Sequence, residues 1–148
     1  MIVVTALLIG VLYVCLNSFI REPHRRRFNA IMVAGAGAAY LSGGGLGVWE
    51  FVITAVITYC AYRGLESWTF IGIAWLVHTA SDVVHHLQGT PIIPFAEHSS
   101  LGCAICDPVI ALWAFAGGLD VRSMTPAALV RALRLRRAQH AADGGLHE

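Results

Sequence analysis

The segment WTFIGIAWLVHTASDVVHHL, Trp68 to Leu87, is apolar over most of its length yet carries His78, Asp82, His85 and His86. About twenty residues of this character are enough, as a helix, to cross the roughly 30 Å hydrocarbon core of a bilayer. At 100° per residue, positions 78, 82 and 85 fall within about 60° of one another, and 86 lies just beside them. Ionisable groups in a spanning helix are costly, so they usually face a protein interior or a wet cavity, where they serve function. The stretch therefore predicts a membrane helix whose polar face carries the chemistry.

The rest of the chain agrees with that environment. It has 148 residues, of which 57% are hydrophobic and 13% charged, and a mean hydropathy of +0.66. A soluble domain of this size needs far more charge to cover its surface. The pattern predicts an all-α, polytopic membrane helix bundle of about five transmembrane helices: Met1–Ile20, Phe28–Ser42, Leu46–Tyr62, Trp68–Leu87 and roughly Ser100–Leu119. The first stretch lacks a positive leading region and a small-residue cleavage site, so it reads as a retained anchor. Residues 1–120 form the transmembrane domain and 121–148 a cytoplasmic basic amphipathic tail, in which Arg131, Arg134 and Arg137 can reach anionic headgroups.

All ten basic residues are arginine. They follow the first span (Arg21, Arg25, Arg26, Arg27), the third (Arg63) and the fifth (Arg122, Arg131, Arg134, Arg136, Arg137). Five alternating spans place all of them on one side, which the positive-inside rule makes cytoplasmic. The N-terminus is then outside and the C-terminus inside, with the chain multi-pass in the plasma (inner) membrane. Membrane lipids are the expected partners and a homo-oligomer is allowed. Nucleic acid is not expected, because the basic clusters only flank hydrophobic spans. The second and third spans are short and joined by Ser42-Gly43-Gly44-Gly45, so a re-entrant hairpin is the alternative to two crossings. Gly35, Ala39, Gly43 and Gly47 form a small-xxx-small row suited to close helix packing.

On this topology the histidine face, the loop residues Glu97 and His98, and Cys103, Cys106 and Asp107 gather toward the outer leaflet, as does Glu50. His78, Asp82, His85, His86 and His98 are the candidate metal ligands, and Asp107 and Glu97 the candidate catalytic bases. His78 and Asp82 are one turn apart and can share an ion, and Asp82 with His85 or His86 is equally feasible. His78 and His85 are about 10.5 Å apart in rise, too far for a single ion. The face thus suits two adjacent metal positions, or one position with an outer histidine. Imidazole with carboxylate suits a divalent transition metal, zinc or iron first among zinc, iron, manganese and copper. Asp107-Pro108 resembles a helix start, aspartate as N-cap and proline in the first turn, so the fifth span either breaks there or continues through a proline kink. A single CxxC, Cys103 and Cys106, is weak evidence for zinc and no disulfide framework.

The stretches WLVHTASDVVHH, GTPIIPF and SSLGCAICDPVIALW, within Trp75 to Trp113, resemble an uncharacterised family of small bacterial integral membrane proteins, a domain of unknown function. The resemblance implies a bacterial membrane protein and carries no activity with it. In general character the histidine-rich helix is similar to membrane-embedded hydrolases and desaturase-like enzymes, but their repeated histidine boxes are absent. The expected function is a metal-dependent membrane enzyme, a hydrolase or oxidoreductase acting on a lipid or amphiphile. The alternatives are an ion or proton transport component and an accessory subunit with a structural polar face.

Overall fold

In the computed structural model, which describes residues 1–43, 45–93 and 95–123, the chain is all-α. Five long helices and one short one follow in order: α1 Ile2–Asn17, α2 His24–Ala38, α3 Tyr40–Gly43, α4 Val48–Gly64, α5 Trp68–Leu87 and α6 Ser99–Phe115, with a 3₁₀ turn at Val121–Ser123. The tail expected to carry the basic amphipathic helix lies, from residue 124 on, outside the described residues.

The helix starts follow local chemistry. Pro23 stands at the N-cap of α2, where its fixed φ and missing N–H are tolerated. The helix therefore begins at His24 and takes in the arginines that were expected to precede it. Gly47, at φ 60°, turns the chain into α4, a conformation that glycine adopts without a Cβ clash. Gly118, at φ 59°, lies where an added Cβ would meet the Trp68 ring at 2.2 Å. Space and backbone both demand glycine there.

Helix α5 is the centre of the molecule. It packs against α6, α4 and α2, while α1 lies on α6 and α2 on α4. Ile57, Ile71, Ala74, Ala111 and Ala114 are fully enclosed where these helices meet. Each buried isoleucine side chain contributes about 1.5–3 kcal/mol from removal of apolar surface from water. One end of the bundle is tied by Arg26 Nε donating to the Leu65 carbonyl, Trp68 Nε1 donating to Glu22 Oε1, and Val121 N donating to Ser18 Oγ. Arg122 pairs with Asp120 at the same end, and its side-chain hydrogen bonds hold the Asp120 carboxyl below the usual range. The α4–α5 turn and the C-terminal end of α6 lie there too.

Three expectations from the sequence are corrected. No described helix is long and apolar enough to cross a membrane. Helix α5 has the length, 20 residues, but its histidines and Asp82 dilute its apolar character. The other long helices stop at 15 to 17 residues. Second, α6 runs unbroken through Pro108, so Asp107 is an interior residue and not an N-cap. Proline at that position removes the hydrogen bond to the Ala104 carbonyl and leaves the helix intact. Third, the Gly35–Gly47 row is not one helix face, and its two end glycines, Gly35 and Gly47, pack against nothing. Helix α2 ends at Ala38, which breaks the row, and a Cβ at Gly35 or Gly47 would meet nothing within 4 Å.

Close approach occurs instead at Gly10, where an added Cβ would lie 2.9 Å from the backbone oxygen of Cys106 and 3.1 Å from Val109 Cβ. Because one obstacle is backbone, it cannot swing aside. Gly10→Ala should therefore force α1 off α6 and cost about 1–3 kcal/mol, the usual range for overpacking. Gly35→Ala should be neutral or stabilising by up to about 1 kcal/mol, from helix propensity alone. Unfolding in mild detergent distinguishes them, and equal effects at the two positions would refute this packing.

Candidate metal centre

Helices α5 and α6 bring His78, Asp82 and Asp107 together in the core. Two positions one turn apart on α5 supply His78 and Asp82, and the facing turn of α6 supplies Asp107. All three are buried, with Asp82 at 0% exposure. One ligand atom from each lies within 4.8 Å of the others, a grouping that could hold a metal ion.

The hydrogen-bond pattern defines the electrostatics. His78 Nδ1 lies 2.8 Å from Asp107 Oδ2, to which it hydrogen-bonds, and 3.0 Å from Asp82 Oδ2. That nitrogen carries a single hydrogen. With it directed at Asp107, Asp82 Oδ2 is enclosed with no hydrogen-bond partner among the described residues. The other Asp82 oxygen is satisfied, because the Tyr40 hydroxyl lies 3.0 Å from both Asp82 Oδ1 and the His78 carbonyl and donates between them. Asp107 Oδ1 accepts from the Cys106 thiol at 3.1 Å. Two carboxylates and one imidazole thus converge with one acceptor position unmet. Leaving such an oxygen buried costs about 1–3 kcal/mol or more, which a cation would offset.

His85 does not join this group. Its Nδ1 lies 3.1 Å from both the carbonyl and the hydroxyl oxygen of Thr90, and its Nε2 faces Glu50 Oε1 at 3.3 Å. Tyr40 sits between the two histidines, stacked on the His85 ring at 5.3 Å and tilted against His78 at 5.0 Å. His86, Glu97 and His98 are exposed. Together with His85 and Ser100 they line an open cavity of about 240 Å³ beyond the C-terminal end of α5. The five expected ligands therefore divide: His78 and Asp82 in the buried group, His85 against Glu50, His86 and His98 at the cavity. Asp107, expected as a base or a cap, completes the buried group with His78 and Asp82, and Glu97 stands apart from it.

Sequence reasoning missed Tyr40. It falls in a stretch read as packing, and its only signal was a phenol inside an apolar segment just before a glycine run. Cys106 was placed near Asp107, but the thiol–carboxylate bond between neighbours could not be read from spacing. All four cysteines are free thiols.

An apolar cleft of about 470 Å³ adjoins the centre, between the start of α1 and the first turns of α6. Ile2, Ala6, Ile9, Cys103 and Cys106 are among the residues that line it, and Cys106 connects it to Asp107.

The fold and the site thus define a helical protein with a buried histidine–aspartate–aspartate group. The chain belongs to DUF6010, a family of unknown function, whose model matches residues 1–120. No curated protein and no solved structure matches it.

Proposed function

We propose that this is a lipid-embedded metalloprotein of the bacterial plasma membrane, in which His78, Asp82 and Asp107 hold a divalent transition metal, zinc or iron first. Its function is that of a metal-dependent enzyme acting on a lipid or other amphiphile. The observation that carries the reading is Asp82 Oδ2, enclosed without a hydrogen bond, 3.0 Å from His78 Nδ1 and beside a second carboxylate. Buried carboxylates are costly unless paired or bound to a metal. A borderline ion such as zinc or iron suits one nitrogen and two oxygen donors.

The lipid setting is supported by the apolar surface. Val4, Leu8, Leu12 and Leu16 on α1, and Phe51 and Tyr62 on α4, are exposed, far beyond the scattered apolar residues of a soluble surface. Helices of 15–17 residues would sit in such a bilayer with local thinning or tilt of their neighbours, at modest cost per ångström. The described arginines, with the ties between Arg26 and Leu65 and between Arg122 and Asp120, mark the end that would face the cytoplasm. The cavity with His86 and His98 belongs to the opposite end.

A bound metal would lower the pKa of its water to about 7 and supply a nucleophile for hydrolysis, or a redox centre if it is iron. His78, Asp82 and Asp107 would orient it, and the Tyr40 hydroxyl would fix Asp82. Cys106 would steady Asp107 at the wall of the apolar cleft, where the hydrocarbon part of an amphiphile fits. An ion or proton transport role is favoured by one feature, the row of buried polar groups Glu50, His85, Tyr40, Asp82, His78 and Asp107, in which Tyr40 meets His85 by ring stacking and Asp82 by a hydrogen bond. An accessory subunit using the polar face for a partner is the third reading.

Reconstitution in liposomes separates these readings. Lipid turnover without flux supports the enzyme, and metal or proton flux lost in His78→Ala supports transport. Orientation is tested in a background without native cysteines. Gln88→Cys should react with an impermeant thiol reagent on intact cells, and Arg122→Cys should not. The reverse pattern would move the site to the cytoplasmic face.

A further inference from the structure

The pair Glu50–His85 presents the same electrostatic problem as the centre described above, in a second place. Thr90 offers His85 Nδ1 a carbonyl oxygen at 3.1 Å, and a carbonyl can only accept. Thr90 Oγ1 lies as close, at 3.1 Å; when Nδ1 of the neutral ring donates to the carbonyl, Nε2 presents a lone pair. That lone pair faces Glu50 Oε1 at 3.3 Å, an oxygen already accepting from the Leu46 N–H at 3.0 Å. An acceptor thus meets an acceptor. His85 Nε2 and Glu50 Oε2 are both enclosed without a hydrogen-bond partner among the described residues. Glu50 is 3% exposed and His85 fully buried.

Two enclosed acceptor atoms without a hydrogen bond, an imidazole nitrogen and a carboxylate oxygen, are donor atoms that a transition-metal ion takes. The Thr90 contact is the kind that fixes a metal-bound histidine, its other ring nitrogen donating to a carbonyl. We infer a second divalent transition-metal site, held by His85 Nε2 and the Glu50 carboxylate. Water would complete its coordination from the adjoining cavity, which His85 itself lines. Glu97, His86 and His98 around that cavity supply further nitrogen and oxygen donors on the way in. Tyr40, stacked on His85 and bonded to Asp82, joins this site to the first. The inference deepens the metalloprotein reading by adding a site, and it can fail separately.

The test is zinc titration of the full chain in mild detergent after chelator treatment, followed by calorimetry and elemental analysis. The native protein should take two equivalents. Glu50→Gln keeps an acceptor for the Leu46 N–H and should lose one equivalent, its second-site affinity falling by about 10–100-fold or more. His85→Ala should do the same. Asp107→Asn should lose the other equivalent and keep this one. In each variant the retained equivalent certifies the fold. A native stoichiometry of one, abolished by Asp107→Asn and untouched by Glu50→Gln, overturns the second site and leaves the first. One equivalent abolished by Glu50→Gln and untouched by Asp107→Asn upholds this site and overturns the first. No zinc uptake overturns both.

Discussion

Replacing His78 by alanine in metal-free protein should destabilise it by about 3–5 kcal/mol, the range for breaking a buried ion pair by removing one partner. Both Asp82 and Asp107 are buried and lie 3.0 and 2.8 Å from the same imidazole nitrogen. Without it, two carboxylates share an enclosed space, with the Tyr40 hydroxyl and the Cys106 thiol as remaining donors. The variant also loses ring contacts to Tyr40 and Trp75. Chemical unfolding in detergent measures the difference. Glu97→Gln is the control, an exposed position where less than about 0.5 kcal/mol is expected. A His78→Ala loss as small as the control's would mean that the imidazole does not hold the carboxylates together.

Metal should then stabilise the native chain by mass action. An ion that binds the folded state alone contributes about 4 kcal/mol at a thousandfold excess over Kd. Zinc added to metal-free protein should raise the unfolding temperature by several degrees, and chelator should reverse it. Asp107→Asn keeps the shape of the site and one acceptor oxygen but removes a ligand charge. Its affinity at this site should fall more than about 100-fold, since even outer partners of a metal ligand cost 10–100-fold. At the same zinc concentration the stabilisation from that site should fall from about 4 to about 1.4 kcal/mol or less. An Asp107→Asn protein stabilised by zinc as strongly as the native one would remove Asp107 from the ligands.

How much of this was legible in the sequence differs residue by residue. The helical class and the place of α5 followed from apolar periodicity, which survives any detail of packing. The pairing of His78 with Asp82 followed from one helical turn. Asp107 was marked as informative, but because Asp-Pro has the local chemistry of a helix start, a break there stayed open beside a continuous helix. Tertiary packing overrode that local chemistry, and α6 passes through Pro108 with Asp107 turned to His78. Helical rise set His85 apart from His78 but left a pairing of Asp82 with His85 equally open, and in the structure His85 faces Glu50 instead. That partner was not foreseen, since the contact joins residues 35 apart through the α4–α5 packing. The Gly35–Gly47 row failed for a related reason: spacing by four means a shared face only while one helix lasts, and α2 ends at Ala38. The first and fifth helices were read too long because apolar composition continues into turns such as Ser18–Ile20, where the helix does not.

The most direct test of the metal centre is elemental analysis of native protein and Asp82→Ala, each purified in mild detergent without added metal. Native protein should carry a divalent transition metal at one equivalent or more, and Asp82→Ala, still folded by circular dichroism, should carry at least one equivalent less. Native protein that is folded and active yet metal-free, or an Asp82→Ala variant that retains the full native content, would contradict a metal site built from His78, Asp82 and Asp107.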